Sequence, residues 1–81
     1  MENDIKKKIG FQIKIIRNKV NISQLELSNR SGLDRTYITS VENGKRNISI
    51  INLEKISKAL GISLKDFFNN DEFTNNWPSS K

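Results

Sequence analysis

The sequence predicts an all-α domain, and three observations predict it. Apolar residues recur at helical spacing in successive segments. Ser or Asp stands at the cap position before four of those segments, and no segment alternates apolar and polar residues as a strand would. Eighty-one residues make one domain, small but able to fold alone.

The first helix is marked by Ile5, Ile9, Ile13, Ile16 and Val20, at steps of four, four, three and four. Asn21 follows where a left-handed residue would close it, a job Asn does less well than Gly. Phe11 and Ile15 lie off this stripe and are expected to pack on the last helix or the tail. The second helix opens in "ISQLEL": Ser23 caps, Glu26 is its capping-box partner, and Ile22 and Leu27 form a hydrophobic staple. It runs to about Arg30 and meets the third through "SGL", where Gly32 is free to take a positive φ. Asp34 caps the third helix, "RTYITSVE". The fourth begins in "ISIINL", with Ser49 as cap and Ile48 against Leu53; it buries Leu53, Ile56 and Leu60 and ends at Gly61. The fifth begins in "ISLKDF", where Ser63 caps, Asp66 is a shorter box partner, and Ile62 can pack on Phe67. Residues 1–69 thus form the folded unit and 70–81 a polar tail, in which Phe73 and Trp77 are expected to belong to a loose end.

Composition removes several function classes. Without Cys there is no disulfide staple and no thiolate metal site, and without His the commonest general base and metal ligand are both missing. No convergent carboxylate cluster replaces them, so neither an enzyme nor a bound cofactor or metal is expected. Apolar runs never exceed two residues, which excludes a membrane-spanning helix; a cytoplasmic protein is expected. The net charge is +5, and all of it lies in residues 1–46, which hold ten Lys/Arg against five Asp/Glu. One basic half suits a polyanion. A soluble basic protein without such a partner would look the same, so charge alone does not choose.

The third helix sharpens the choice. With Arg35 at 0°, Thr39, Asn43, Thr36 and Ser40 fall at about 40°, about 80°, about 100° and about 140°, for a turn of about 100° per residue. Tyr37, Val41 and Ile38 fall at about 200°, about 240° and about 300° and make the buried arc. Solvated faces more often carry Glu and Lys; Ser, Thr and Asn weaken an exposed helix face, so filling it with them needs a reason. Arg gripping guanine, with Thr methyls against thymine methyls, would supply one. Taken alone, the helix still favours water. Its neighbours shift the balance. Two short helices with a Gly-containing turn make a helix-turn-helix unit, whose second helix enters the major groove. Ser28 is small where the two helices approach. Gln24 opens the second helix beside free N–H groups that can hold a phosphate, and Lys45, Arg46 and Asn47 in "NGKRN" can clamp the flanking backbone.

From "IKIIRNKV" to "SLKDFF" the chain resembles the lambda-repressor-like, XRE-type helix-turn-helix domains. The markers, in order, are Arg17, Ser23-Gln24, Leu27, Ser31-Gly32, Glu42-Asn43-Gly44 and the closing "LEKISKALGISLKDFF". Within that superfamily, "LDRTYIT" followed by "KRN" is most like the controller proteins of type II restriction–modification systems. The resemblance implies a compact five-helix domain that dimerises through its last helices on a palindromic operator in double-stranded DNA. It leaves open whether dimers pair further on DNA. Carried onto matching positions, it makes Arg35 and Thr36 base readers, and Thr39 and Ser40 share their face. It implies backbone contacts for Gln24, Asn43, Arg46 and Asn47, with Lys45 beside them. Tyr37 can touch DNA too, although its place at the edge of the buried arc makes packing an equal use for it. The resemblance also pairs Arg17 with Glu42. The wheel agrees, since Glu42 falls at about 340°, beside the buried arc, where a carboxylate is costly unless paired. A surface pair of Glu42 with Arg35, Lys45 or Arg46 is the alternative. Departures from the family pattern are Asn21 in place of a usual glycine, Leu25 in place of an acidic residue and Ile15 in place of a basic one.

Ile50, Ile51, Ile62, Leu64, Phe67 and Phe68 exceed the needs of one small core, and Ile51, Leu64 and Phe68 are expected to face a second copy. The function expected is a dimeric, sequence-specific transcriptional regulator of restriction–modification genes, its own included. A phage-type repressor or antitoxin would use the same DNA chemistry. A basic helical module that binds an acidic protein is the alternative from another class.

Overall fold

A computed structural model describes residues 2–70 and Phe73, with side chains from Ile5 onward. It contains α1 (Glu2–Lys19), α2 (Gln24–Ser31), α3 (Arg35–Glu42), α4 (Ile50–Leu60) and the single turn α5 (Leu64–Phe67), and no strand among the described residues.

Each of the four later helices starts on the expected cap. Ser23 Oγ accepts from Glu26 N, Asp34 from Thr36 N, Ser49 Oγ from Asn52 N and Ser63 Oγ from Asp66 N, all within 3.0 Å. Each such cap is worth about 1 kcal/mol. The box at Ser23 is only half made, because the Glu26 carboxylate turns to Arg30 Nε, 2.7 Å away on the same exposed face. Directly before each cap stands an apolar residue (Ile22, Leu33, Ile48, Ile62) packed on the core, which sets the angle at which the chain enters the next helix.

The helix ends are closed as locally as the starts. Asn21 takes φ 63°, and Ile22 N–H reaches back to the Arg17 carbonyl while Asn21 N–H reaches that of Asn18, both at 3.1 Å. Gly44 and Gly61 make the same Schellman closure on α3 and α4, through Lys45 N to Ser40 O and Ile62 N to Ser57 O.

Ile13, Ile16, Leu27, Ile38, Val41, Leu53, Ile56, Leu60 and Phe67 form one core to which all five helices contribute. Ile5 in the first turns of α1 and Val20 just after its end are exposed. Ile15 is half-buried and lines a hollow with Ile62 and Asp66 beside α5, whereas Phe11 stays 58 % exposed among the described residues. Phe73 corrects a second expectation. It is not part of a loose end: it is buried, with its ring 4.9 Å edge-on to Phe68 and 6.3 Å from Phe67. An aromatic pair of this kind adds to the burial of its area, which is enough to hold a residue in a polar stretch. Trp77 and the remainder of the tail lie outside the described residues.

Candidate nucleic-acid interface

The turn between α2 and α3 is held by bonds among Ser28, Ser31, Gly32 and Leu33. Gly32 closes α2 at φ 77°, its N–H on the Ser28 carbonyl. The Ser28 hydroxyl donates to the Leu33 carbonyl at 2.6 Å, and Leu33 N–H donates to Ser31 Oγ. Ser28 therefore does more than save space: it fixes the angle between the two helices.

Behind α3 lies a buried ion pair. Arg17 Nε donates to Glu42 Oε2 at 2.7 Å and Nη2 to Oε1 at 3.0 Å, while Nη1 reaches the Ile22 carbonyl at 2.9 Å. The Glu42 side chain is only 2 % exposed. A buried carboxylate needs such partners, and this geometry binds α1 to the end of α3. The surface pairing of Glu42 is thereby ruled out. The pair also continues forward: Gln24 Nε2 donates to Glu42 Oε1 at 3.0 Å, and Thr39 Oγ1 donates to Gln24 Oε1 at 2.9 Å. One chain of bonds runs Arg17–Glu42–Gln24–Thr39, from the first helix through the second to the middle of the third.

Sequence reasoning missed Gly10. A Cβ there would fall on the Val41 carbonyl oxygen and lie 2.8 Å from that of Glu42, so only glycine lets α1 cross the end of α3 this closely. A glycine in mid-helix, costing about 1 kcal/mol against alanine, was the available signal. It also missed the side-chain link between Gln24 and Thr39, which depends on the helix–helix angle.

The outward side of α3 is differently furnished. Arg35 and Thr36 are exposed in its first turn, with no hydrogen-bond partner for either side chain among the described residues. Thr39 and Ser40 are half-buried, and the Thr39 hydroxyl proton is committed to Gln24. Asn43, Lys45, Arg46 and Asn47 are exposed in and beside the turn that follows. Of the two uses expected for Tyr37, packing is the one the structure shows. Its ring packs on the core and carries the Arg46 guanidinium 5.1 Å from its centroid, and its hydroxyl oxygen accepts from Asn52 Nδ2 at 3.1 Å.

Away from α3, Ile50 and Ile51 open α4 at 79 % and 64 % exposure. Ile50 borders an apolar groove of about 550 Å³ with Ile5, Ile9, Ile48, Phe68 and Phe73. Leu64 and Phe68 are half-buried and packed on the core, so each offers only an edge to a partner; Phe67 is wholly core.

Two short helices joined by a tight glycine turn, the second braced from behind and polar in front, define a helix-turn-helix protein. The chain belongs to that family: residues 13–67 match the Helix-turn-helix family model. More particularly, it belongs with the controller proteins of restriction–modification systems. It is 49 % identical over 71 residues to control protein C.MunI of a Mycoplasma species, covering 86 % of this chain and 96 % of the relative. Control protein C.BamHI of Bacillus amyloliquefaciens is 48 % identical over 67 residues, 82 % of this chain and 83 % of that one. Among solved structures, the controller protein C.AhdI from Aeromonas hydrophila superposes with a TM-score of 0.75 at 38 % identity, over 78 % of this chain and 91 % of that one. The C.Esp1396I tetramer, in complex with its natural 35 base-pair operator, gives a TM-score of 0.75 at 43 % identity, over 78 % and 83 % of the two chains.

Proposed function

We propose that this protein is a transcriptional regulator that binds a palindromic operator as a homodimer and controls restriction–modification genes, its own among them. The observation that carries the reading is the contrast between the two sides of α3. Its last turn is locked to α1 and α2 by buried, charge-assisted bonds, while Arg35 and Thr36 in its first turn stand exposed, their side chains without a hydrogen-bond partner among the described residues. Such a helix is rigid where it is held and free where it reads. In this role Arg35 grips a guanine edge and Thr36 meets a neighbouring base. Thr39, its hydroxyl turned to Gln24, offers a methyl group instead, and Ser40 lies beside it. Gln24 keeps one amide hydrogen for a phosphate after serving Glu42, at a helix start that itself favours an anion. Tyr37, Asn43, Lys45, Arg46 and Asn47 hold the backbone on the other flank.

One recognition helix reads few base pairs, so two copies must span half-sites about 34–36 Å apart. Ile51 and the exposed edges of Leu64 and Phe68 supply the self-contact, joined by Ile50, which borders the adjoining groove. The folded unit proposed at residues 1–69 is joined by Phe73, which is buried beside Phe67 and Phe68. A chain with no His or Cys, whose buried carboxylate is paired with Arg17, suits regulation without chemistry. No helix of the described residues is long and apolar enough to cross a membrane, and we place the protein in the cytoplasm with its DNA. Selection of binding sites from random duplexes tests the reading. Enrichment of a palindrome with one-turn spacing, bound less tightly as salt rises, is expected. Recovery of unenriched sequence would overturn it and favour the basic interaction module.

A further inference from the structure

The hydrogen bond from Asn52 to Tyr37 joins two surfaces that otherwise have separate jobs. Tyr37 lies on α3, and Asn52 lies in the first turn of α4, immediately after the exposed Ile50 and Ile51. We infer that Asn52 is a positioning residue: it fixes the direction in which the Tyr37 hydroxyl donates, so that the proton faces the operator backbone. The inference rests on the DNA-binding reading above and deepens it.

The local geometry supports it. A phenolic hydroxyl can donate one hydrogen and accept through its oxygen, and its O–H keeps close to the ring plane, pointing to one side or the other. An amide N–H arriving at 3.1 Å occupies one of those sides, so the hydroxyl proton takes the other. The ring cannot turn to escape, because its body is packed on the core and the Arg46 guanidinium lies 5.1 Å above it. The Asn52 backbone is itself fixed, its N–H bonded to the Ser49 cap at 3.0 Å. Among the described residues the Tyr37 hydroxyl has no acceptor for its own proton. A donor aimed and left unused, beside Arg46 and near Asn47, is suited to a phosphate oxygen. The amide that aims it stands next to the isoleucines proposed for self-association, so dimer formation and the aim of Tyr37 depend on the same helical turn.

The test is a double-mutant cycle on the full chain, with duplexes carrying the selected operator and with random duplex. Asn52→Ala is expected to weaken operator binding by about three- to tenfold, the scale of one ordinary hydrogen bond, and Tyr37→Phe to do the same. In the Tyr37→Phe background, Asn52→Ala is expected to cost nothing further. Asn52→Asp adds a sharper arm. A carboxylate accepts rather than donates, so it turns the hydroxyl inward, and its loss should exceed that of Asn52→Ala. Part of that loss is charge repulsion from DNA, which persists in the Tyr37→Phe background and is subtracted there. Unchanged helix content and melting midpoint separate a positioning role from a structural one. Additive losses from Asn52→Ala and Tyr37→Phe, or full operator affinity in Asn52→Ala, would overturn the inference. A wild-type chain that prefers no duplex would instead overturn the DNA-binding reading beneath it.

Discussion

Replacing Glu42 by glutamine keeps the shape of the side chain and removes its charge. Arg17 is then left buried with the Ile22 carbonyl at 2.9 Å and a single neutral amide oxygen, in place of a forked carboxylate at 2.7 and 3.0 Å. Breaking a buried pair by altering one partner costs about 3–5 kcal/mol, because an uncompensated charge remains. In a domain of this size each kcal/mol lowers the melting midpoint by about 4–8 °C, so a fall of about 12 °C or more is expected. Thermal and urea unfolding followed by circular dichroism would measure it. The companion variant Arg17→Met/Glu42→Leu removes both charges and should recover most of the loss, as apolar replacement of a whole pair usually does. Operator binding by that double variant should nevertheless be impaired, because Gln24 loses its anchor and with it the support of Thr39. A midpoint for Glu42→Gln within about 3 °C of wild type would refute the bracing argument. So would a double variant that merely adds a second loss.

Gly10→Ala should destabilise the fold by about 1–3 kcal/mol or more in urea unfolding, against the usual gain of Gly→Ala in a helix, because the new methyl meets the Val41 and Glu42 carbonyls. Arg35→Ala should leave the melting midpoint unchanged and relax preference at one base pair per half-site, at about 1–3 kcal/mol by competition binding. An Arg35→Ala protein with intact sequence preference would show that α3 does not read bases as described. Lys45→Gln should weaken all duplexes alike and lower the slope of log affinity against log salt by about one per subunit, as titrations at several salt concentrations would report.

The parts legible in the sequence are those written locally. An apolar residue, a Ser or Asp, and a backbone amide two or three positions on recur at the start of each of the four later helices, and every one of these starts falls where the pattern puts it. Asn21 and Gly61 close their helices by bonds that span six residues or fewer. The division of α3 into buried and exposed arcs follows from its period, and Glu42 lies where the wheel and the family resemblance both set it. What the sequence did not disclose depends on how helices cross. Gly10 is meaningful only because α1 passes over the Val41 and Glu42 carbonyls. Thr39 lies on the reading arc by its angle, yet its hydroxyl turns to Gln24 because α2 brings an acceptor within 2.9 Å. Phe73 sits in a polar stretch, and its burial depends on a surface that Phe67 and Phe68 create together. The Asn52–Tyr37 bond joins residues fifteen apart through the α3–α4 turn, beyond any local pattern.

Because the Arg35 and Thr36 side chains bond to nothing inside the described molecule, exchanging them costs the fold almost nothing. The residues that hold α3 sit at its other end. If Arg35 and Thr36 read bases as proposed, a lineage carrying this arrangement can drift to a new operator by changing those two side chains, with no compensating change in the core. Duplicated copies could then diverge until neither answers to the other's promoter, and several such regulators could share a cell without crossed signals. The division of α3 into a fixed end and a free end thus bears on inheritance as well as on recognition.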